Sequence, residues 1–154
     1  MDQASNQYLR NAVLTASPEQ LHLMLLDGAI RYIRQGITGV ESKSWEQAFN
    51  GFSRAQKIML EMLNSLLHDV DPELCTRMSG LYSFMYQKLV DASVQRAVKP
   101  ANEALDILIY QRETWVMLIE KLNSERARDA GHATGVESDD DLAEPKFSTI
   151  SVEG

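Results

Sequence analysis

Cysteine occurs once in the 154 residues, at Cys75, so no internal disulfide can form. A single thiol fits a reducing compartment. No stretch approaches the run of about eighteen apolar residues that a membrane-crossing helix needs. The opening Met1-Asp2-Gln3-Ala4-Ser5-Asn6 has no basic region and no apolar segment, so no secretory signal is expected there. Together these absences predict a cytoplasmic protein with no membrane insertion. No segment alternates polar and apolar residues with period two, and no hairpin turn signal occurs, so strands are not expected.

Catalytic signatures are missing as well. There is no Gly-rich phosphate loop, no CxxC pair, and no Ser-His-Asp or Cys-His arrangement. An enzyme is not expected, and neither is a cofactor. Glu19-x-x-His22 has the spacing of carboxylate-bridged di-iron bundles. Such a site needs two of these pairs plus two further Glu from mid-bundle. Here one pair stands in a first turn, and His68 and His132 lie elsewhere, so no metal is expected.

Basic surface is scarce too. The net charge is −7, but it is unevenly spread. Residues 129–154 carry seven acids and one base, whereas the first 128 carry fifteen acids and fourteen bases. The body is therefore nearly neutral, and nothing in it could neutralise a row of phosphates, so nucleic acid is not the expected partner.

What is present is helix punctuation. Ser17-Pro18-Glu19-Gln20 combines an N-cap serine, a first-turn proline and a glutamine placed to close a capping box. Ser44 with Gln47 offers a second box, and Asp71-Pro72-Glu73 a third start. Pro100 opens a fourth helix. The spacing predicts helices from about Pro18 to Val40, from Ser44 to His68, from Asp71 to Ala97 and from Pro100 to Arg126. Short links between them imply an all-α, antiparallel four-helix bundle over residues 17–128. Residues 1–16 read as an N-terminal arm with apolar Tyr8, Leu9, Val13 and Leu14. Residues 129–154, with the Asp139-Asp140-Asp141 run, have too little apolar content to offset ordering entropy and read as a disordered acidic tail.

The first of these helices is broadly apolar. Leu21, Leu25, Gly28, Ala29, Tyr32 and Gly36 form one stripe, and Leu23, Leu26, Ile30, Ile33 and Ile37 widen it. A bundle helix needs only a stripe of about 100°. The excess width points to a second face for a partner. The inward stripe of the next helix includes Trp45, Phe49 and Phe52, with Ile58 and Leu60 at its margins. That of the third includes Leu74, Tyr82 and Met85. Asp27 and Arg31, four apart, read as a surface ion pair. Arg112 on an apolar stripe is either a snorkelling side chain or a polar layer that sets register. The methionines sit mostly on core stripes and read as core, although methionine also suits surfaces that take flexible partners.

Several of these residues carry a family resemblance. Tyr8, Asn11 and Val13, then Thr15-Ala16-Ser17-Pro18, then Met24-Leu25-Leu26-Asp27-Gly28-Ala29 resemble the opening of the FliS family. Leu81-Tyr82 with Met85 and Leu89, and Arg112-Glu113-Thr114-Trp115, resemble its later signatures. The family usually has an aromatic at Leu26, an acid at Ser83 and arginines at Gln87-Lys88, where this chain differs. The resemblance implies an export chaperone for flagellin, with the flagellin C-terminal segment as partner and contact with components of the flagellar export gate. It implies a structural role for Ser17, Pro18, Asp27, Gly28, Arg112 and Trp115. Resemblance and apolar width together give the expected contact set: Tyr8, Val13, Leu14, Leu23, Leu26, Ile30, Ile33, Ile58 and Tyr82. A second reading is a structural or regulatory bundle that self-associates through its broad apolar faces.

Overall fold

The computed structural model describes residues 2–66 and 71–137, and all regular structure among them is helical. Among the described residues there are five helices: α1 (Asp2–Thr15), α2 (Pro18–Glu41), α3 (Trp45–Asn64), α4 (Pro72–Gln95) and α5 (Val98–Glu137). Helices α2 to α5 follow the four expected starts, and the N-terminal arm adds a further helix, α1. The stretch around His68, where the second predicted helix was expected to end, lies outside the described residues. The acidic tail was expected from residue 129, but α5 carries helix through 137. The rest of the tail, including Asp139-Asp140-Asp141, lies outside the described residues.

Local chemistry sets the helix starts. The Ser17 hydroxyl accepts from the Gln20 backbone N–H at 3.2 Å, and the Ser17 N–H donates to Gln20 Oε1 at 3.1 Å. This is a closed capping box with Pro18 just behind it. Asp71 Oδ1 likewise accepts from the Leu74 N–H at 3.1 Å. The box expected at Ser44 does not form: its side chain makes no cap bond. Gln47 reaches across instead, and its Nε2 donates to the Gln35 carbonyl of α2 at 3.2 Å.

The chain divides into two compact units, residues 1–116 and 117–154. The second is described through residue 137 and is helical. The first unit holds the core. Leu26, Ala29, Ile30 and Ile33 of α2 meet Ala48, Phe52, Ala55, Met59 and Met62 of α3. Tyr82, Met85 and Leu89 of α4 and Ala104, Leu105 and Leu108 of α5 complete it. Cys75 of α4 is buried too, as a small side chain outside this cluster.

Helices α2 and α3 share the broadest contact, and glycine makes it close. A Cβ on Gly51 would lie 2.5 Å from the Gly36 backbone N and 2.6 Å from the Tyr32 carbonyl O. A Cβ on Gly36 would strike the Phe52 ring at 2.5 Å. The two backbones approach closely because neither glycine has a side chain. At the other flank of α2, Arg112 of α5 pairs with Asp27, and Trp115 Nε1 donates to the Glu19 carbonyl at 2.8 Å. Asp27 therefore pairs with Arg112 rather than with Arg31, which instead stacks over the Tyr32 ring. Arg112 is partly exposed and bonded to Asp27 at the same time. Its bond runs between α5 and α2.

Candidate functional site

Helix α1 carries four exposed apolar residues, and Val94 of α4 and Tyr110 of α5 are exposed to a similar degree. Tyr8 is 78% exposed and Leu14 71%, with Leu9 and Val13 also exposed. The helix is closed at its C-terminus by Thr15, whose hydroxyl donates to the Asn11 carbonyl at 2.8 Å. Ala16 and Ser17 then separate it from the Pro18 start of α2. The result is a short amphipathic helix whose apolar side chains face solvent, a form suited to a second apolar surface.

The expected contact set divides in the structure. Tyr8, Val13 and Leu14 are exposed on α1. Leu23 and Ile58 are half-buried, and Ile58 packs against the core. Leu26, Ile30, Ile33 and Tyr82 lie in the core itself, Leu26 and Tyr82 at 1% exposure. The second apolar face that the sequence suggested for α2 is therefore interior. The broad arc is used by packing partners: its glycine side takes α3, and its Leu26–Ile30–Ile33 side fills the core. Conversely Leu21, placed on the core stripe, is exposed. Tyr82 carries a phenol whose pKa burial pushes up.

Other apolar residues surface where the sequence placed them inward or left them unassigned. On α3, Trp45, Phe49 and Leu60 are exposed, Phe49 at 62%. The Arg96 guanidinium stacks over the Trp45 ring at 4.6 Å, and Arg96 itself takes a left-handed conformation at the end of α4. Leu74 and Phe84 on α4 and Tyr110 on α5 are exposed too. A sequence signal existed for two of them: Phe84 and Tyr110 fall outside every inward stripe.

The structural residues cluster at one end of the α2–α5 seam. The His22 ring packs on Trp115 with centroids 4.3 Å apart, and burial lowers the His22 pKa below its ordinary value. Glu19-x-x-His22 thus offers a carbonyl and a ring to Trp115. Among the described residues, no three His, Cys, Asp or Glu side chains converge as a metal site requires. Further along the seam, α2 and α5 frame an open groove of about 720 Å³. None of the described helices is long and apolar enough to cross a membrane.

Comparison with known proteins gives this arrangement a family. Residues 1–122 match the family described as "Flagellar protein FliS". A flagellar secretion chaperone FliS of Bacillus subtilis (strain 168) is 29% identical over 126 residues, covering 82% of this chain and 93% of that protein. The namesake from Campylobacter jejuni (strain 81116) is 27% identical, covering 73% of this chain and 88% of its own. That of Salmonella typhimurium (strain LT2) is 26% identical, covering 78% and 90%. The matched region spans α1 to α4 and the part of α5 that holds Arg112 and Trp115. The chain belongs to the FliS family of flagellar proteins.

Proposed function

We propose that this protein is a cytoplasmic export chaperone. It binds the C-terminal segment of flagellin as helices on its surface, prevents premature polymerisation and aids delivery to the flagellar type III export apparatus. Membership of a family whose relatives are named flagellar secretion chaperones supports the client class. The observation that carries the reading is α1, which leaves Tyr8, Leu9, Val13 and Leu14 uncovered beside a well-packed body. Recognition is of the helix-on-groove kind, in which an amphipathic helix lays its apolar side against another apolar surface. Ordering a disordered client costs roughly 2–5 kcal/mol of the gross contact energy, which keeps such a complex releasable.

Contact is proposed at Tyr8, Val13 and Leu14, with Leu23 and Ile58 at the margin. Leu26, Ile30, Ile33 and Tyr82 act indirectly, as the core that holds the surface in shape. Calorimetric titration with a flagellin C-terminal fragment tests this. Tyr8→Ala is expected to leave melting unchanged and to weaken binding by about 1–3 kcal/mol, as for an aromatic interface anchor. Leu26→Asp is expected to unfold the protein, because it forces a charge into the core. Equal affinity of wild type and Tyr8→Ala would remove α1 from the interface.

A further inference from the structure

The α2–α5 groove differs in chemistry from the apolar surface of α1. Its floor is Ile30 and Ile109, one from each helix. Arg31 and Arg34 line it from α2, and Glu113 lines it from α5. One end is closed by the Asp27–Arg112 pair and the other by Gln35 and Gln47, which are hydrogen-bonded to each other. From Asp27 to Thr38 the lining runs along α2 for about 16 Å, taking 1.5 Å per residue. That is room for a peptide, not only for a small anion.

The charges in the groove are unequally satisfied. Arg112 is neutralised by Asp27. Arg31 stacks on Tyr32, and neither it nor Arg34 has an acidic partner among the described residues. Glu113 pairs with neither of them. The groove therefore presents two guanidinium groups, three residues apart on one helix, against a single carboxylate. A guanidinium is built to take a carboxylate on two N–H donors.

We infer that this groove is a docking site for an acidic peptide segment of a partner protein, lying along α2. The segment places carboxylates three or four residues apart over Arg31 and Arg34, and sets one aliphatic side chain on the Ile30–Ile109 floor. Charge complementarity selects this occupant. A second copy brings Glu137, Asp140, Asp141 and Glu144 at the same spacing, so that occupant is an outcome of the test, whereas a phosphate polymer would meet a body that is nearly neutral. The inference goes beyond the proposed client reading, which places its contacts on α1.

A fluorescein-labelled helical peptide of about four turns tests it. The peptide carries glutamates at i, i+3 and i+4 around one central leucine, and a counterpart has glutamine in their place. The full chain is expected to bind the glutamate peptide, with affinity falling as salt rises, and to bind the glutamine peptide at least about tenfold more weakly. Arg34→Glu should lower affinity by about tenfold or more, while Glu113→Gln should raise it by about two- to fivefold. Both side chains are exposed, so neither change is expected to alter melting. Amide shifts on titration should concentrate in the α2 and α5 residues of the groove. No binding, equal binding of the two peptides, an unaffected Arg34→Glu variant, or shifts confined to α1 and α3 would each overturn the proposal, as would binding only to a peptide-induced dimer.

Discussion

Gly51 and Gly80 both sit in helices, where glycine is about 0.5–1 kcal/mol less favourable than alanine. Their surroundings give opposite predictions. A Cβ on Gly80 would meet nothing within 4 Å, so Gly80→Ala should stabilise by about 0.4–1 kcal/mol. A Cβ on Gly51 would meet the α2 backbone, which cannot move aside as a side-chain tip can, so Gly51→Ala should destabilise by about 1–3 kcal/mol. Urea unfolding of the two variants separates them, and a stabilising Gly51→Ala would deny the close α2–α3 approach. His22 gives a second prediction at this scale. Burial against Trp115 lowers its pKa in the folded state below the ordinary 6.5. Between the two values the unfolded chain binds more protons, so stability rises with pH there. The contribution is complete above about 6.5 and is lost as pH falls toward the folded value. His22→Gln should flatten the melting temperature against pH below about 6.5. An unchanged acid limb would mean that other groups carry it.

At the scale of elements, the starts of α2 and α4 were legible because a cap is a local device. Ser17 with Gln20 and Asp71 with Pro72 need only their own turn. The pair Ser44 and Gln47 spelled the same motif, yet Gln47 found the Gln35 carbonyl, a partner twelve residues away that local spacing does not reveal. Ser17→Ala should therefore cost about 1 kcal/mol and Ser44→Ala only a few tenths. Equal costs in chemical denaturation would show that the second box forms in solution. Faces were harder to read than ends. On α2 the apolar arc is broad because α3 takes its glycine side while Leu26, Ile30 and Ile33 fill the core. A helix with two packing flanks looks, in sequence, like one with a core face and a free face. On α3, Trp45 and Phe49 share the helical spacing of Phe52, but only Phe52 reaches the core. The helicity of α1 left a weaker trace still, since its apolar residues bury little and its ends lack a capping box. The family was legible in motif resemblance, which apolar patterning alone could not supply.

Across the whole molecule, α2 and α5 are far apart in sequence yet share two specific bonds. Asp27 and Arg112 are 85 residues apart, and Glu19 and Trp115 are 96 apart. These bonds tie the first helix of the body to its last, and Asp27 and Arg112 line the groove between those helices. Their contributions should differ. The Asp27 and Arg112 side chains are 44% and 42% exposed, so water screens their attraction. A double-mutant cycle with Asp27→Asn and Arg112→Gln should give a coupling of about 0.2–1 kcal/mol that shrinks in high salt. Trp115 is half-buried and packs against the core, and its Nε1–H has the Glu19 carbonyl as partner. Trp115→Phe keeps most of the ring against His22 but removes that donor, and should cost about 0.5–1.5 kcal/mol with little dependence on salt. Hydrogen exchange would locate the effect: the Trp115→Phe variant should lose protection in the first turns of α2 and around position 115, while α3 and α4 keep theirs. A loss spread evenly over all helices would mean that α5 is bound into one cooperative unit with the core, and that the tie at Glu19 has no local role.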